Sequence, residues 1–355
     1  MLISLSRAGP NATQCYNDRR MAARLEPVPR APSPQLVDLR HLRSEDLNPL
    51  LDEEVDAWRL RLNWDFGKSA DLVRRFVDMR ALCGFALVDD GEAAGYSYYV
   101  LEEHKALIGD LFVRDAYCSP ENENRLLDAV LQSLTALPQI GRIESQLMMW
   151  HSTGYLPMPR HLSRFERNFM MLEMQHAALD PSRRWGRGLV PASIPVANRV
   201  YIEKWADQYQ EPAAHLIAAA YQGHVDSLIN DQYRSVAGAR RFLFNIVQYP
   251  GCGTFFKPAS VAAFERLTGR ICGICLASLV MPYCGHITQI CVAPWVRGAG
   301  VGYELLRQSL TLLREAGCRK TSLTVTASNR EAIKLYEDVG FTTTRKFFAY
   351  VWEGY

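Results

Sequence analysis

The sequence lacks the features that mark exported, membrane-spanning or nucleic-acid-binding proteins. No apolar run reaches the ~20 residues that are needed to span a bilayer. Residues 1–36 contain no apolar stretch of the signal-peptide kind. The 40 basic and 38 acidic residues leave a net charge of only +2, so charge does not indicate binding to nucleic acid or to an acidic membrane. We therefore expect a cytoplasmic protein with neither partner.

A disulfide framework and a metal site are also not indicated. The nine cysteines are odd in number and scattered along the chain, which is atypical of small secreted folds and suits a reducing cytoplasm. Cys272 and Cys275 have zinc-knuckle spacing, but Cys284 and Cys291 are single and lie in apolar, strand-like runs. We therefore expect core cysteines and no metal.

Length and composition instead predict a globular protein with two domains. The chain has 355 residues, 48% hydrophobic and 22% charged, which exceeds the usual size of a single domain. Residues 26–35 are rich in proline, so we expect residues 1–35 to be a flexible leader.

An internal repeat supports two related halves. The strand-like segments 110–113 and 289–292 are each followed, after twelve residues, by a Leu-Leu pair that opens an apolar helical pattern. The offset between the copies is a constant 179 residues. We predict an α/β (α+β) protein with one domain over 36–176, a linker over 177–196 and a second domain over 197–355.

The second half has a clear succession of elements. Its patterns predict helices over 211–244, 303–316 and 330–339. They predict strands over 200–205, 260–265, 271–281, 286–292, 321–326 and 341–352.

A glycine-rich string follows the strand that ends at Val292. The string is Arg297-Gly298-Ala299-Gly300-Val301-Gly302, and a predicted helix follows it at once. Glycines let the backbone approach a ligand closely, and the first amides of a helix hold phosphate oxygens. The string therefore predicts a pyrophosphate site, although glycines of this kind also serve tight turns and close packing.

Two motifs together resemble the GNAT family of N-acetyltransferases. The first comprises Arg297, Gly300 and Gly302; the second is the string from Asn329 through Ala332, Leu335 and Tyr336 to Gly340-Phe341. The resemblance implies two tandem GNAT-like domains, each a mixed, mostly antiparallel sheet flanked by helices. It also implies acetyl-CoA as co-substrate.

The resemblance assigns roles to individual residues. Tyr336 would be catalytic and give a proton to the leaving sulfur, and Asn329 would contact the pantetheine arm. The remaining cofactor-binding residues would be the strand end at Ile290, Cys291 and Val292, and the loop and helix start at Arg297, Gly298, Ala299, Gly300, Val301, Gly302 and Tyr303.

Several of these residues have structural alternatives. Tyr336 lies on an apolar helical stripe and could pack in the core. Ser328 and Glu331 form a capping box, so Asn329 could simply help to begin the helix. Some relatives have a glutamate where Thr324 stands here. The base could then be water, bulk solvent or a residue such as His286.

The first half is predicted to be a degenerate copy. In the ungapped register Cys118, Glu121 and Glu123 replace Arg297, Gly300 and Gly302, Pro120 intrudes, and Trp150 replaces Asn329. Carboxylates would repel a pyrophosphate. We expect this half to pack against the active half, where it could wall the acceptor cleft, an arrangement similar to that of tandem enzymes of the mycothiol synthase type.

We therefore expect an N-acetyltransferase that moves acetyl from acetyl-CoA to a primary amine of a small molecule or a protein. The alternative is a catalytically weak protein that binds or senses acyl-CoA. The identity of the acceptor amine and the oligomeric state stay open at this point.

Overall fold

Most of the chain forms one unit around a long mixed sheet. The computed structural model describes residues 34–150, 156–179, 199–249 and 251–355. Residues 34–355 belong to a single compact unit. The leader predicted over 1–35 and the linker predicted over 177–196 fall almost entirely outside the described residues, and both stay predictions.

The N-terminal half contributes six strands and three α-helices to the described structure. The helices are α1 (Ser44–Leu62), α2 (Gly67–Asp78) and α3 (Pro120–Thr135). The strands are β1 (Gln35–Asp38), β2 (Cys83–Asp89), β3 (Glu92–Glu102), β4 (Lys105–Val113), β5 (Arg142–Gln146) and β6 (Leu162–Glu173).

The C-terminal half repeats this order with three added elements, α5, β8 and α8, whose bounds follow. Its helices are α4 (Gln210–Ala220), the short α5 (Asp226–Ile229), α6 (Val236–Gln248), α7 (Val301–Glu315) and α8 (Arg330–Val339). Its strands are β7 (Val200–Lys204), β8 (Thr254–Phe255), β9 (Val261–Glu265), β10 (Ile271–Met281), β11 (Cys284–Val292), β12 (Lys320–Thr326) and β13 (Thr342–Glu353).

The helix predicted over 211–244 is interrupted, so that prediction was wrong in its middle. Gly223 has a φ of +70°, and residues 221–235 form a loop that contains α5. A new helix then begins because the Ser235 side chain accepts a hydrogen bond from the Gly238 N–H at 3.0 Å. We call residues 221–235 the crossing loop.

The internal repeat is confirmed in both helices that follow the repeated strands. In α3 the side chains of Leu126, Leu127 and Leu134 are fully buried. In α7 the side chains of Leu305 and Leu306 are fully buried in the same way. Each such leucine contributes about 1.5–3 kcal/mol of hydrophobic stabilisation.

The two halves exchange their last strands. The sheet order is β1-β2-β3-β4-β5-β13-β6-β12-β11-β10-β9-β7, with β8 on β10. Strand β13 pairs antiparallel with β5 and β6, and β6 pairs antiparallel with β12. The end strand of each sequence repeat therefore completes the sheet of the other repeat.

The crossing loop is fastened to the N-terminal half by buried charges. The Lys105 ammonium pairs with Asp231 and, at 3.1 Å, with Glu144. Arg142 Nη2 donates to the Leu228 carbonyl at 2.6 Å. Lys105, Arg142 and Glu144 are each at least nine-tenths buried. The first half thus supports a loop that belongs to the second half.

Candidate functional site

A cavity of about 570 Å³ lies where the two halves meet. It is lined by every predicted site residue except Ala299, whose N–H instead donates to the Val296 carbonyl at 3.3 Å. The N-terminal half contributes Trp58, Trp64, Gln146, Met148 and Arg167 to the lining. The sequence prediction that the first half packs against the second therefore agrees with the structure.

Strands β11 and β12 separate beside this cavity. They pair in parallel only from Cys284 to Ile287, against Lys320 to Leu323. Beyond Ile287, β12 continues along β6 to Thr326, whereas β11 continues along β10 to Val292. The stretch from Thr288 to Val292 therefore has one backbone edge that no strand among the described residues covers, which suits an extended ligand arm that can form backbone hydrogen bonds.

The glycine string forms the end of the same cavity. Gly298 and Gly300 have φ values of +72° and +84°, a region that favours glycine. Helix α7 begins at Val301, and its hydrogen-bond ladder starts with the Glu304 N–H donating to the Gly300 carbonyl at 3.1 Å. The amides of Val301 and Gly302 precede that ladder. The loop therefore fits a pyrophosphate.

Arg297 fastens this loop rather than projecting as a free surface charge. Its Nη2 donates at 2.5 Å to the carbonyl of Ala220, the last residue of α4. A cation at a helix C-terminus satisfies an orphan carbonyl and complements the helix dipole. Arg297 thus ties the glycine string to the beginning of the crossing loop.

Asn329 has a capping role in addition to its place in the cavity wall. Its Oδ1 accepts from the Ala332 N–H at 3.2 Å, so Asn329 is the N-cap of α8. The capping box predicted from Ser328 places the cap one residue too early. Asn329 Nδ2 lies 3.3 Å from His224 Nε2. The structure thus supports the capping alternative and leaves cofactor contact as a prediction.

Tyr336 is buried in the wall that faces the separated strands. Its side chain is 6% exposed, and its ring packs edge-on against Phe341 at 6.0 Å. Burial raises the pKa of the Tyr336 hydroxyl, and the neighbouring Cys275 and Asp226 raise it further. The phenol is therefore protonated at neutral pH and can donate a proton.

His286 is unsuitable as the base that the sequence left open. Burial lowers its pKa to about 3. Its Nδ1 lies 2.9 Å from Ser322 Oγ, and its ring packs against Trp64 at 4.8 Å. The imidazole is therefore neutral and already has a polar partner. His286 acts as a packed polar residue of β11.

A carboxylate that the motifs did not indicate lines the cavity instead. It belongs to Asp226, the first residue of α5. The Arg167 guanidinium lies 3.3 Å from it, and the Thr326 hydroxyl donates to it. Asp226 lies in the interval where a continuous helix was predicted, so no local pattern singled it out.

The cysteines near the cavity are thiols with ordinary packing roles. Burial raises the pKa of Cys291 to about 12, and the same effect raises that of Cys275 to about 12. Cys272 and Cys275 are fully buried in β10. Among the described residues, no group of three or more His, Cys, Asp or Glu side chains could hold a metal ion.

The loop before α3, which corresponds to the glycine string, leads into an ordinary capped helix N-terminus. Ser119 caps α3 by accepting from the Asn122 N–H at 3.2 Å, and Pro120 begins the helix. Glu123 is 2% exposed, and Trp150 is buried at the position equivalent to Asn329. None of residues 114–123 lines the cavity.

Comparisons with known proteins agree with this architecture. Residues 226–341 match the family model described as "Acetyltransferase (GNAT) family". Within the described part of the chain, no helix is long and apolar enough to cross a membrane.

Similar proteins include two curated acetyltransferases and a solved tandem structure. N-alpha-acetyltransferase MAK3 of Arabidopsis thaliana is 30% identical over 70 residues, 20% of this chain and 37% of that protein. Mycothiol acetyltransferase of Thermomonospora curvata is 35% identical over 88 residues, 25% of this chain and 29% of that protein. A tandem GNAT protein from the clavulanic acid biosynthesis pathway has a TM-score of 0.58 at 17% identity, covering 90% of this chain and 98% of that one.

Proposed function

Because residues 226–341 match the GNAT acetyltransferase family model and the fold resembles that of a tandem GNAT protein, we propose that the protein is an acetyl-CoA dependent N-acetyltransferase. The acceptor is a primary amine of a small molecule or a protein. The observation that carries this proposal is the placement of the uncovered edge of β11, the glycine string and Tyr336 around one cavity. Free thiols at seven described cysteines support a cytoplasmic location, namely Cys83, Cys252, Cys272, Cys275, Cys284, Cys291 and Cys318.

Acetyl-CoA would bind along the gap between β11 and β12. The pyrophosphate would lie on the amides that follow Gly300, where the helix dipole also favours negative charge. The pantetheine arm would pair with the backbone of residues 288–292. The acetyl carbonyl would then lie near backbone N–H donors that can stabilise the negative charge developing on its oxygen.

The reaction is a direct transfer. The amine nitrogen attacks the thioester carbon, a C–N bond forms, and the C–S bond breaks. The Tyr336 phenol gives its proton to the leaving sulfur, and the nitrogen loses one proton, which restores the phenol through solvent. No net proton is gained or lost when a neutral amine enters.

The test is coenzyme A release from acetyl-CoA on a panel of primary amines, with acetyl-CoA affinity measured in parallel. Tyr336→Phe should lower kcat by about 100-fold, within the range of a lost general acid. Its acetyl-CoA affinity should remain within twofold of the parent value. Tyr283→Phe is the matched control, since Tyr283 is 39% exposed in the turn between β10 and β11.

The outcomes separate the proposal from its rival. Binding of acetyl-CoA without turnover on any amine would favour an acyl-CoA binding or sensing protein. Equal kcat for Tyr336→Phe and the parent would remove Tyr336 from the mechanism. Loss of binding in Tyr336→Phe would indicate a packing role for this ring.

A further inference from the structure

We propose that Asp226 binds the amino group of the acceptor and takes its proton, and that Arg167 of the N-terminal half is the positioning residue for Asp226. The inference rests on the proposed acetyl transfer and extends it to the acceptor side of the cavity. It also assigns a class of acceptor, namely primary amines that carry an aromatic or apolar body.

One oxygen of the Asp226 carboxylate accepts hydrogen bonds from the protein, whereas the other accepts none from the residues that the structure describes. Oδ1 accepts from the Thr326 hydroxyl and lies 3.3 Å from Arg167 Nη1. Oδ2 lies 3.8 Å from His224 Nδ1, which is beyond hydrogen-bond distance. The side chain is 15% exposed and lines the cavity. Oδ2 is therefore available to a cationic amine.

Both ring nitrogens of His224 already face polar groups of the protein. Nδ1 accepts from the Asp226 backbone N–H at 3.1 Å, and Nε2 lies 3.3 Å from Asn329 Nδ2. Of these two neighbouring side chains, Asp226 is therefore the one that has an atom left for the acceptor.

Arg167 reaches Asp226 because the last strands are exchanged. It lies on β6, opposite Thr326 of β12 in the antiparallel register. Its side chain is 11% exposed, and Nη1 also donates to Thr326 Oγ1 at 3.1 Å. The fixed fork of the guanidinium thus holds Asp226 and Thr326 together. The N-terminal half thus supplies Arg167 to a site that is otherwise built from the C-terminal half.

The same half holds the backbone around Asp226. The crossing loop is anchored at Asp231 by Lys105, and Gln232 Nε2 donates to Glu102 at 3.0 Å. Neither Asp231 nor Gln232 lines the cavity, whereas Asp226 and Tyr221 do. A catalytic group that is held from both sides needs little reorganisation when substrate binds.

The surroundings of Asp226 are aromatic, which sets the body of the acceptor. Tyr221 and Tyr233 stack at a centroid distance of 4.3 Å, and Phe242 meets Tyr233 edge-on at 4.9 Å. Gln289 Nε2 donates to the Tyr221 hydroxyl at 2.8 Å and fixes the stack. Aromatic faces attract cations and pack against apolar groups. An arylalkyl ammonium fits both surfaces.

The chemistry balances with Asp226 as base. The bound ammonium first gives one proton through Asp226 to solvent, which leaves the neutral amine that attacks the thioester carbon. The nitrogen becomes far more acidic once its bond to the acetyl carbon forms, so the carboxylate suffices to take its second proton on Oδ2. The sulfur takes the Tyr336 proton as the C–S bond breaks. Proton exchange through solvent then restores both residues, and one proton is released for each ammonium consumed.

The test uses the full chain with 2-phenylethylamine as acceptor and 2-phenylethanol as a neutral ligand of the same shape. In Asp226→Asn, kcat/KM for the amine should fall about 100-fold, as for a lost general base. The acetyl-CoA affinity should change less than twofold. The kcat of Asp226→Asn should still rise with pH where the parent has levelled, because solvent base must take the proton. Arg167→Met should lower amine kcat/KM in the same direction.

The control is Glu166→Gln on the same strand, whose partner Lys346 lies at 2.7 Å on the exposed face. It should behave as the parent. Amine binding in the presence of unreactive coenzyme A, measured by calorimetry, separates this inference from the proposed function. Tenfold weaker amine binding in Asp226→Asn, with 2-phenylethanol unchanged, supports the inference even if the parent shows no turnover. An unchanged amine affinity and kcat, an equal loss of acetyl-CoA affinity, or no amine binding by the parent would overturn it.

Discussion

The conformation of Gly300 leads to a prediction in which one substitution disrupts the glycine string and a nearby one does not. Gly300 is the N-cap of α7 with φ +84° and ψ +1°. A side chain in the left-handed region costs about 1–2 kcal/mol. Gly302 has no positive φ, and a Cβ built there meets Val292 and Leu335 at 3.8 and 3.9 Å, which is ordinary contact.

Gly300→Ala should therefore be destabilised by about 1–2 kcal/mol, whereas Gly302→Ala should be neutral or gain up to about 1 kcal/mol, because alanine favours helix. If the loop relieves its strain by changing shape, the amides of Val301 and Gly302 no longer converge. The acetyl-CoA affinity of Gly300→Ala should then fall at least about tenfold, equivalent to about 1.4 kcal/mol.

The assay is thermal unfolding with and without acetyl-CoA, followed by calorimetric titration of both variants and the parent. Gly300→Ala should have a lower Tm and a smaller shift on ligand addition. Gly302→Ala should match the parent in both readouts. Equal behaviour of the two variants, or weaker binding by Gly302→Ala alone, would refute the reasoning from the φ angles.

Two further predictions concern the buried charges and the buried histidine. Lys105→Met should lower the free energy of unfolding by about 3 kcal/mol, because it removes the buried cation that pairs with Glu144 and Asp231. The control Lys346→Met, at an exposed residue, should lower it by under about 1 kcal/mol in the same chemical unfolding experiment. Similar losses for both variants would contradict the anchoring of the crossing loop. The fold holds the pKa of His286 at about 3. The neutral imidazole therefore contributes to stability fully above its ordinary pKa of about 6.5, and this contribution is lost as the pH falls below about 6.5. Acidification from pH 7 to 5 should therefore cost the parent about 2 kcal/mol more than it costs His286→Gln, and an equal loss in both would show that His286 is protonated in the folded state.

Local sequence patterns predicted the internal repeat and the glycine string, because both depend on residues that are close together in the sequence. The strands around Val292 and Thr326 and the helix that ends at Gly340 lie where hydrophobic spacing and glycine placed them. Leu305 and Leu306 are buried as their helical spacing requires. These features need no information from distant parts of the chain.

The strand exchange could not be predicted in the same way. Strands β6 and β13 are both apolar enough to close either half, and both halves offer an edge of the same kind. Alternation of side chains decides which face is buried but not which sheet a strand joins. The exchange brings Arg167 to Asp226, so the sequence could not predict this ion pair either.

The crossing loop was missed for a related reason. Residues 211–244 keep apolar spacing through Tyr221 and Tyr233, although these rings pack against each other rather than along one helix. Its conformation depends on Lys105 and Arg142, more than 80 residues away in sequence. Tertiary contacts of this kind override local helical preference. Functional groups on such loops carry no local signature.

The central claim is that the chain contains two copies of one fold but a single working cofactor loop. Calorimetric titration with acetyl-CoA tests it most directly, because stoichiometry counts the loops that bind. The account predicts one acetyl-CoA per chain, with binding weakened by Gly300→Ala and unaffected by Glu121→Gln. Two molecules per chain, or a single site that responds to Glu121→Gln and not to Gly300→Ala, would contradict it.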